Sequence, residues 1–159
     1  MKKILLPSEL LLSRLKDIKI MTIQELKDVL KTQCRMTVFR KLTALDYISS
    51  YSHSGKYYSL KRIARYNKYG IWSHRDALFS RSGTLRKTIE FLINNSTKGY
   101  TASELRSRLK VKVEDVLLEL VKNKTVARKK LSGIFVYFSI LPKLARKQEL
   151  TRIDKIQYQ

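Results

Sequence analysis

Apolar residues recur along the chain at two spacings, and the change from one to the other marks out its elements. Over residues 9–16 and again over 85–94 they fall three or four apart, with Leu85, Ile89, Leu92 and Ile93 in the second run behind the candidate cap Thr84. That spacing predicts amphipathic helices. Two further helices are predicted by Met36, Val38, Phe39, Leu42 and Leu45, and by Val113, Val116, Leu117, Leu120 and Val121. The period then shortens to that of strands. Residues 48–52 and 57–60 flank a turn at His53-Ser54-Gly55-Lys56, and residues 126–130 and 134–140 flank one at Ser132-Gly133, so each half of the chain ends in a predicted hairpin.

The two halves also share a motif. Thr22 to Lys31 and Thr101 to Lys110 both read T-x-x-E-L-x-x-x-L-K, at an offset of 79 from Thr22 to Thr101, with Lys27 matched by Arg106. A Thr followed three residues later by Glu is a capping box, in which the hydroxyl accepts the N3 amide and the carboxylate accepts the Thr amide. Each decamer therefore opens a helix, and the order helix, capped helix, turn, helix, hairpin occurs twice. The hairpins align only approximately in sequence, with an apparent insertion of a residue or two.

This order resembles that of winged helix-turn-helix domains, and the chain looks like two of them in tandem over about residues 8–60 and 84–140. The likeness is most specific between Met21 and Leu60, where T-I-Q-E-L, T-V-F-R-K-L and S-Y-S-H-S-G-K-Y-Y-S-L follow one another. It implies a mainly α protein with small β-hairpin wings, of the α+β class. It also implies duplex DNA binding, with the third helix in the major groove and the hairpin on the backbone or minor groove. The expected division is a first module at 1–62, a basic aromatic connector at 63–83, a second module at 84–141 and a tail or short helix at 142–159. Residues 61–83 carry Tyr66, Tyr69, Trp72 and Phe79 among six Lys and Arg side chains, and this connector is expected to pack the modules together or add a strand to the second; stacking on exposed bases is the alternative. In the tail, Leu144, Leu150, Ile153 and Ile156 suggest an amphipathic helix that dimerises or frays.

Charge sharpens the picture. The 159 residues contain 34 Lys and Arg against 13 Asp and Glu, a formal charge of +21, which calls for a polyanionic partner: nucleic acid first, an anionic membrane second. No apolar run is long enough for a spanning helix, and Glu9 and Arg14 interrupt the signal-like start Met1-Lys2-Lys3 before any cleavage site. A single cysteine, Cys34, and two distant histidines, His53 and His74, leave no disulfide and no zinc set, so a metal-free, cofactor-free, cytoplasmic protein is expected, nucleoid-associated if bacterial or archaeal. Cys34 is expected to be a small packing residue, and no phosphate loop, C-x-x-C or histidine pair points to an enzyme.

The two third helices differ in sign. Residues 34–45 carry Arg35, Arg40 and Lys41 with no acid, whereas residues 113–124 carry Glu114, Asp115 and Glu119 against Lys122 and Lys124. With Val38, Leu42 and Leu45 in the core, Gln33, Arg35, Met36, Thr37 and Arg40 face outward, a set suited to guanine, adenine and thymine-methyl contacts. Lys41 and the first wing's Tyr51, Lys56 and Tyr57 join them as expected DNA contacts. In the second module the expected contacts are Arg106, Arg108, Lys110 and Lys112 with Arg128, Lys129 and Lys130 of the wing, while its acidic helix stays out of the groove or meets a protein partner or second copy of the chain. The function these features imply is sequence-specific duplex-DNA binding, by a transcriptional regulator or a DNA-binding accessory of a mobile element. One alternative is a plasmid or mobile-element replication initiator; another is an RNA-binding or assembly scaffold.

Overall fold

The computed structural model describes residues 6–157; the signal-like start Met1-Lys2-Lys3 and the last two residues of the tail lie outside the described residues. Those described form an α+β protein with seven α-helices and three small antiparallel sheets. The chain divides into two compact units, Met1–Thr84 and Leu85–Gln159.

In the first unit, α1 (Pro7–Ile18) leads through the two-residue strand β1 (Met21–Thr22) into α2 (Ile23–Leu30) and α3 (Arg35–Ala44). The capping box forms as its sequence requires: Thr22 Oγ1 accepts the Glu25 amide at 3.3 Å, and Glu25 Oε1 accepts the Thr22 amide at 3.4 Å. Lys31 closes α2 in the left-handed region, φ 52°. Strands β2 (Tyr47–Ser49) and β3 (Tyr57–Leu60) follow, and the sheet order is β1-β3-β2. Leu11 and Leu15 of α1, Leu26 of α2, Val38 and Leu42 of α3 and Leu60 of β3 are all fully buried in one cluster. Each contributes about 2 kcal/mol by leaving water, so this helical face holds the sheet in place.

The same cluster takes in the segment after β3. Asn67 Oδ1 accepts the amides of Tyr69 and Ile71, turning the chain into a hairpin of β4 (Ile71–His74) and β5 (Ala77–Ser80). Trp72 stands opposite Phe79, with rings 5.0 Å apart, and both belong to the first unit's core. Two bonds fasten the hairpin: the Tyr51 amide donates to the Leu78 carbonyl at 2.8 Å, and the Leu78 amide to Ser52 Oγ at 2.9 Å. The expectation that this segment would add a strand to the second module is thus corrected, since β4 and β5 form a two-stranded sheet of their own and Trp72 and Phe79 enter the first unit's core. Phe79 is fully buried and Trp72 only 7% exposed, so neither presents a free ring face for stacking on bases.

The second unit repeats the plan with α4 (Leu85–Asn94), β6 (Tyr100–Thr101), α5 (Ala102–Leu109), α6 (Glu114–Lys122), β7 (Val126–Leu131) and β8 (Ile134–Ser139). Its sheet order, β6-β8-β7, matches the first. The register matches as well: Met21 faces Tyr58 as Tyr100 faces Tyr137, and Tyr47 faces Leu60 as Val126 faces Ser139. Each of these pairs is displaced by the same 79 residues that separate Thr22 from Thr101, so the hairpins contain no net insertion. The sequences align poorly there because the first hairpin replaces paired strand with a 3-10 turn at His53–Gly55, while the second stays paired to a two-residue turn at Ser132-Gly133.

A last helix, α7 (Pro142–Gln157), packs on β8. Its buried residues are not the expected apolar ones. Gln148 is 1% exposed and Arg152 8%, whereas Leu150 and Ile156 are 54% and 43% exposed. Gln148 Oε1 accepts the Ser139 amide at 2.9 Å, and its Nε2 donates to the Ile93 carbonyl at 2.7 Å. Arg152 donates to the carbonyls of Lys98 and Gly99, both at 2.9 Å. The helix is held by polar bonds to backbone groups, a docking that apolar periodicity cannot reveal. Gly99 itself lies close against β8: its φ is +68°, and a Cβ there would lie 2.5 Å from the Tyr137 carbonyl oxygen.

Candidate nucleic-acid interface

Helix α3 begins where Cys34, with extended backbone, caps it after the Thr32 hydroxyl has taken the Cys34 amide at 3.1 Å. Cys34 is exposed, correcting its expected role in packing; a hydrogen bond to Thr37 lowers the pKa of its thiol. Val38 and Leu42 are buried, so the opposite side of α3 turns out. Gln33, Arg35, Met36 and Arg40 are exposed, Met36 by 73%, and Thr37 and Lys41 are half-buried. No carboxylate interrupts this surface, since α3 carries no acid.

Arg35 is held in place by an aromatic group beneath it. Its guanidinium lies 5.0 Å from the centre of Phe39, whose ring meets Tyr58 edge-on at 5.6 Å and Tyr47 at 5.9 Å. Because Tyr47 is on β2 and Tyr58 on β3, the trio couples the outward helix face to the sheet. Cation–π attraction of about 1 kcal/mol restrains the long Arg side chain while leaving its donors outward.

Of the first hairpin's expected contacts, Lys56 is exposed with its ammonium 5.5 Å from the Tyr57 ring, and the His53 ring meets the same tyrosine edge-on. Tyr57 is half-buried. Tyr51 is tied through its amide to the β4–β5 hairpin of its own unit, and burial pushes its hydroxyl pKa up to about 12. It remains a neutral donor at physiological pH.

The second unit presents its cations differently. In the sheet, Arg128 stands opposite Tyr137 and Lys130 opposite Phe135, so all four share one face. The Arg128 guanidinium lies 4.3 Å from the Phe135 ring centre and the Lys130 ammonium 5.8 Å from it. Beyond the buried Tyr137, Tyr100 is its register partner, and Arg108 donates to the Tyr100 hydroxyl at 3.0 Å. Lys110 and Lys112 are exposed. Lys129 projects away from this strip and bonds to Glu149 of α7 at 2.6 Å, so its charge is already matched.

Two of the three acids of α6, Glu114 and Glu119, are matched too. Glu114 pairs with Arg106 at 2.9 Å, and Glu119 pairs with Arg86 of α4. Its own backbone amide and that of Val113, then Arg106, hold the Glu114 carboxyl below the usual range. Two of the three carboxylates of α6 are thus ion-paired within the unit, whereas among the described residues no cation of α3 makes an ion pair. Sequence reasoning missed Arg86, Gln148, Glu149 and Arg152, because each acts through a partner far away in the chain. Among the described residues, no cluster of His, Cys, Asp and Glu is placed to hold a metal ion, and no helix is long and apolar enough to cross a membrane. Comparison of the chain with protein-family models, curated proteins and solved structures finds no match.

Proposed function

We propose that the chain is a sequence-specific duplex-DNA-binding protein built of two winged helix-turn-helix modules, in which α3 reads bases and both hairpins lie along the backbone. The observation that carries this reading is the outer face of α3. Three exposed side chains of α3, Arg35, Met36 and Arg40, together with exposed Gln33 in the turn before it, mix bidentate donors with an apolar contact, and no acid stands among them. The shared sheet order of the two units supports the module assignment, and the charge of +21 supports a phosphate partner. The ion-paired α6 and the Arg128–Phe135–Lys130 strip make the second unit a backbone clamp with little base reading. Regulation by occupancy of the site suits a transcriptional regulator or a DNA-binding accessory of a mobile element.

Fluorescence anisotropy with duplex, single-stranded DNA and structured RNA of equal length tests the proposal. Duplex should compete best at physiological salt, and selection from a random duplex library should return a preferred site. Equal competition by all three would leave the cations of α3 without a groove to read and would refute the assignment.

A further inference from the structure

A second cluster of cations in the first unit shares no residue with the α3 face or the hairpin at His53–Gly55. Lys16 and Lys19 from the end of α1, Arg62 and Arg65 from the segment after β3, and His74 from β4 surround an open cavity of about 430 Å³ beside Trp72. The fold fixes this convergence. Ile63 and Ala64 are each 8% exposed and anchored by their amides to the Leu60 carbonyl, so the arginines on either side of them are turned outward. The carbonyl of Lys19 accepts the Ser59 hydroxyl at 2.6 Å, tying the end of α1 to β3 next to them.

Two physical features mark this as a site and not an ordinary solvated face. None of the cavity's lining residues is acidic, and among the described residues none of the four Lys and Arg side chains makes an ion pair. Four like charges are thus gathered in a concavity at a cost in self-repulsion. One wall is formed by the buried Trp72 and Ile63, whose low polarisability to charge strengthens the field in the cavity compared with that over open surface. Burial, with Arg75 and Lys19, holds the His74 ring below its usual pKa, so at neutral pH it adds hydrogen-bonding capacity without further charge.

We propose that this cavity binds consecutive phosphate groups and, resting on the DNA-binding reading above, that it clamps the backbone of a nucleic-acid strand apart from the stretch read by α3. The chemistry shared by a strand and a free polyphosphate is a row of phosphates, and the test separates the two. Trp72 is the only tryptophan in the chain and reports on the cavity directly. Its emission is followed while the full chain is titrated with duplex DNA and, separately, with inorganic tripolyphosphate, for the native protein and for the double variant Arg62→Ala, Arg65→Ala. Circular dichroism establishes that the variant is folded, and duplex affinity is measured independently by anisotropy against salt.

The expected result is a Trp72 response to both ligands that the double variant loses, together with a salt slope shallower by about 2 and an unchanged sequence preference. A response to tripolyphosphate alone would uphold the anion site and overturn the strand as its source. No response to either ligand, or an undiminished response in the folded variant, would overturn the proposal even if anisotropy shows tight duplex binding. Failure of duplex binding would instead count against the reading of α3, while the tripolyphosphate arm still decides whether the cavity holds phosphates.

Discussion

Arg152 Nη2 lies 2.8 Å from Glu104 Oε1, the same carboxylate oxygen that accepts the Thr101 amide at 2.9 Å in the capping box of α5. The last helix of the chain thereby secures the first turn of a helix some fifty residues earlier. Arg152 also satisfies the Lys98 and Gly99 carbonyls, so three groups lose a partner if it is removed. Arg152→Ala should lower the stability of the second unit by roughly 2–3 kcal/mol, and its Tm by about 10 °C or more. Arg152→Lys should recover part of this, since one ammonium cannot reach all three acceptors in the guanidinium's geometry. Calorimetry that found Arg152→Ala within 0.5 kcal/mol (about) of the native protein would show that α7 docks without contributing to the fold.

The same contact gives the unit a pH dependence with a definite sign. Burial opposes ionisation of Glu104, but the hydrogen bonds from Arg152 and the Thr101 amide, with the charge of Arg152, outweigh it and hold the carboxyl below its ordinary value. A carboxylate depressed on folding adds stability that is fully present above its unfolded pKa, about 4.3, and is lost as the pH falls through the folded value. The stability difference between native protein and Glu104→Gln should therefore be constant from pH 7 to 5 and shrink toward pH 3. Urea midpoints at these pH values check it; a difference that grows on acidification would contradict the assignment.

These contacts show what the sequence made legible and what it did not. The capping boxes at Thr22 and Thr101 depend on residues three apart, so their repetition was readable and located both helical pairs. The outward face of α3 followed from Val38 and Leu42 in the same way. By contrast, Trp72 and Phe79 gave no indication of which core they would enter, because the bonds from Tyr51 and Ser52 to Leu78 link segments more than twenty residues apart. The tail misled for a different reason: its apolar residues suggested a greasy face, but its bonds run from Gln148 and Arg152 to the carbonyls of Ile93, Lys98 and Gly99. Exposure of Cys34 reflects the cap geometry of α3, where the residue before the first turn points out of the core.

Duplex affinity should fall steeply with salt. Each Lys or Arg contact with a phosphate releases condensed counterion and contributes about −0.9 to the slope of log K against log salt. With Lys41, Lys56, Arg128 and Lys130 all on the expected surfaces, a slope of about −3 or steeper is expected by anisotropy between 50 and 200 mM salt (roughly the range in which such slopes are taken). A shallower slope would mean that the charge of +21 does not serve a DNA backbone.

Single substitutions on α3 should separate reading from clamping. Arg35→Ala and Arg40→Ala should each reduce discrimination for the preferred site by roughly 1–3 kcal/mol if bidentate to guanine, whereas Lys130→Ala should weaken all sequences alike. Lys129→Ala should weaken them less than Lys130→Ala, since Lys129 is committed to Glu149. Retention of the full ratio of specific to random-site affinity by both arginine variants would remove α3 as the reader.

The counterpart position in the second unit makes the opposite prediction. Glu119 pairs with Arg86 on the surface of α4 and α6, with each side chain about half exposed, 49% and 46%. An exposed pair of this kind contributes little to stability, so Glu119→Gln should leave the fold intact within about 0.5 kcal/mol. It would, however, release the Arg86 guanidinium from its counter-charge and remove a carboxylate from the neighbourhood of phosphates. Both changes favour a polyanion without favouring any base, so duplex affinity should stay equal or rise severalfold, with sequence preference unchanged. A carboxylate can also accept from the amino group of cytosine, and that possibility has its own signature. If Glu119→Gln abolished discrimination at one base pair, α6 would be reading the major groove as proposed for α3, and the two units would be equivalent readers instead of the proposed reader and clamp.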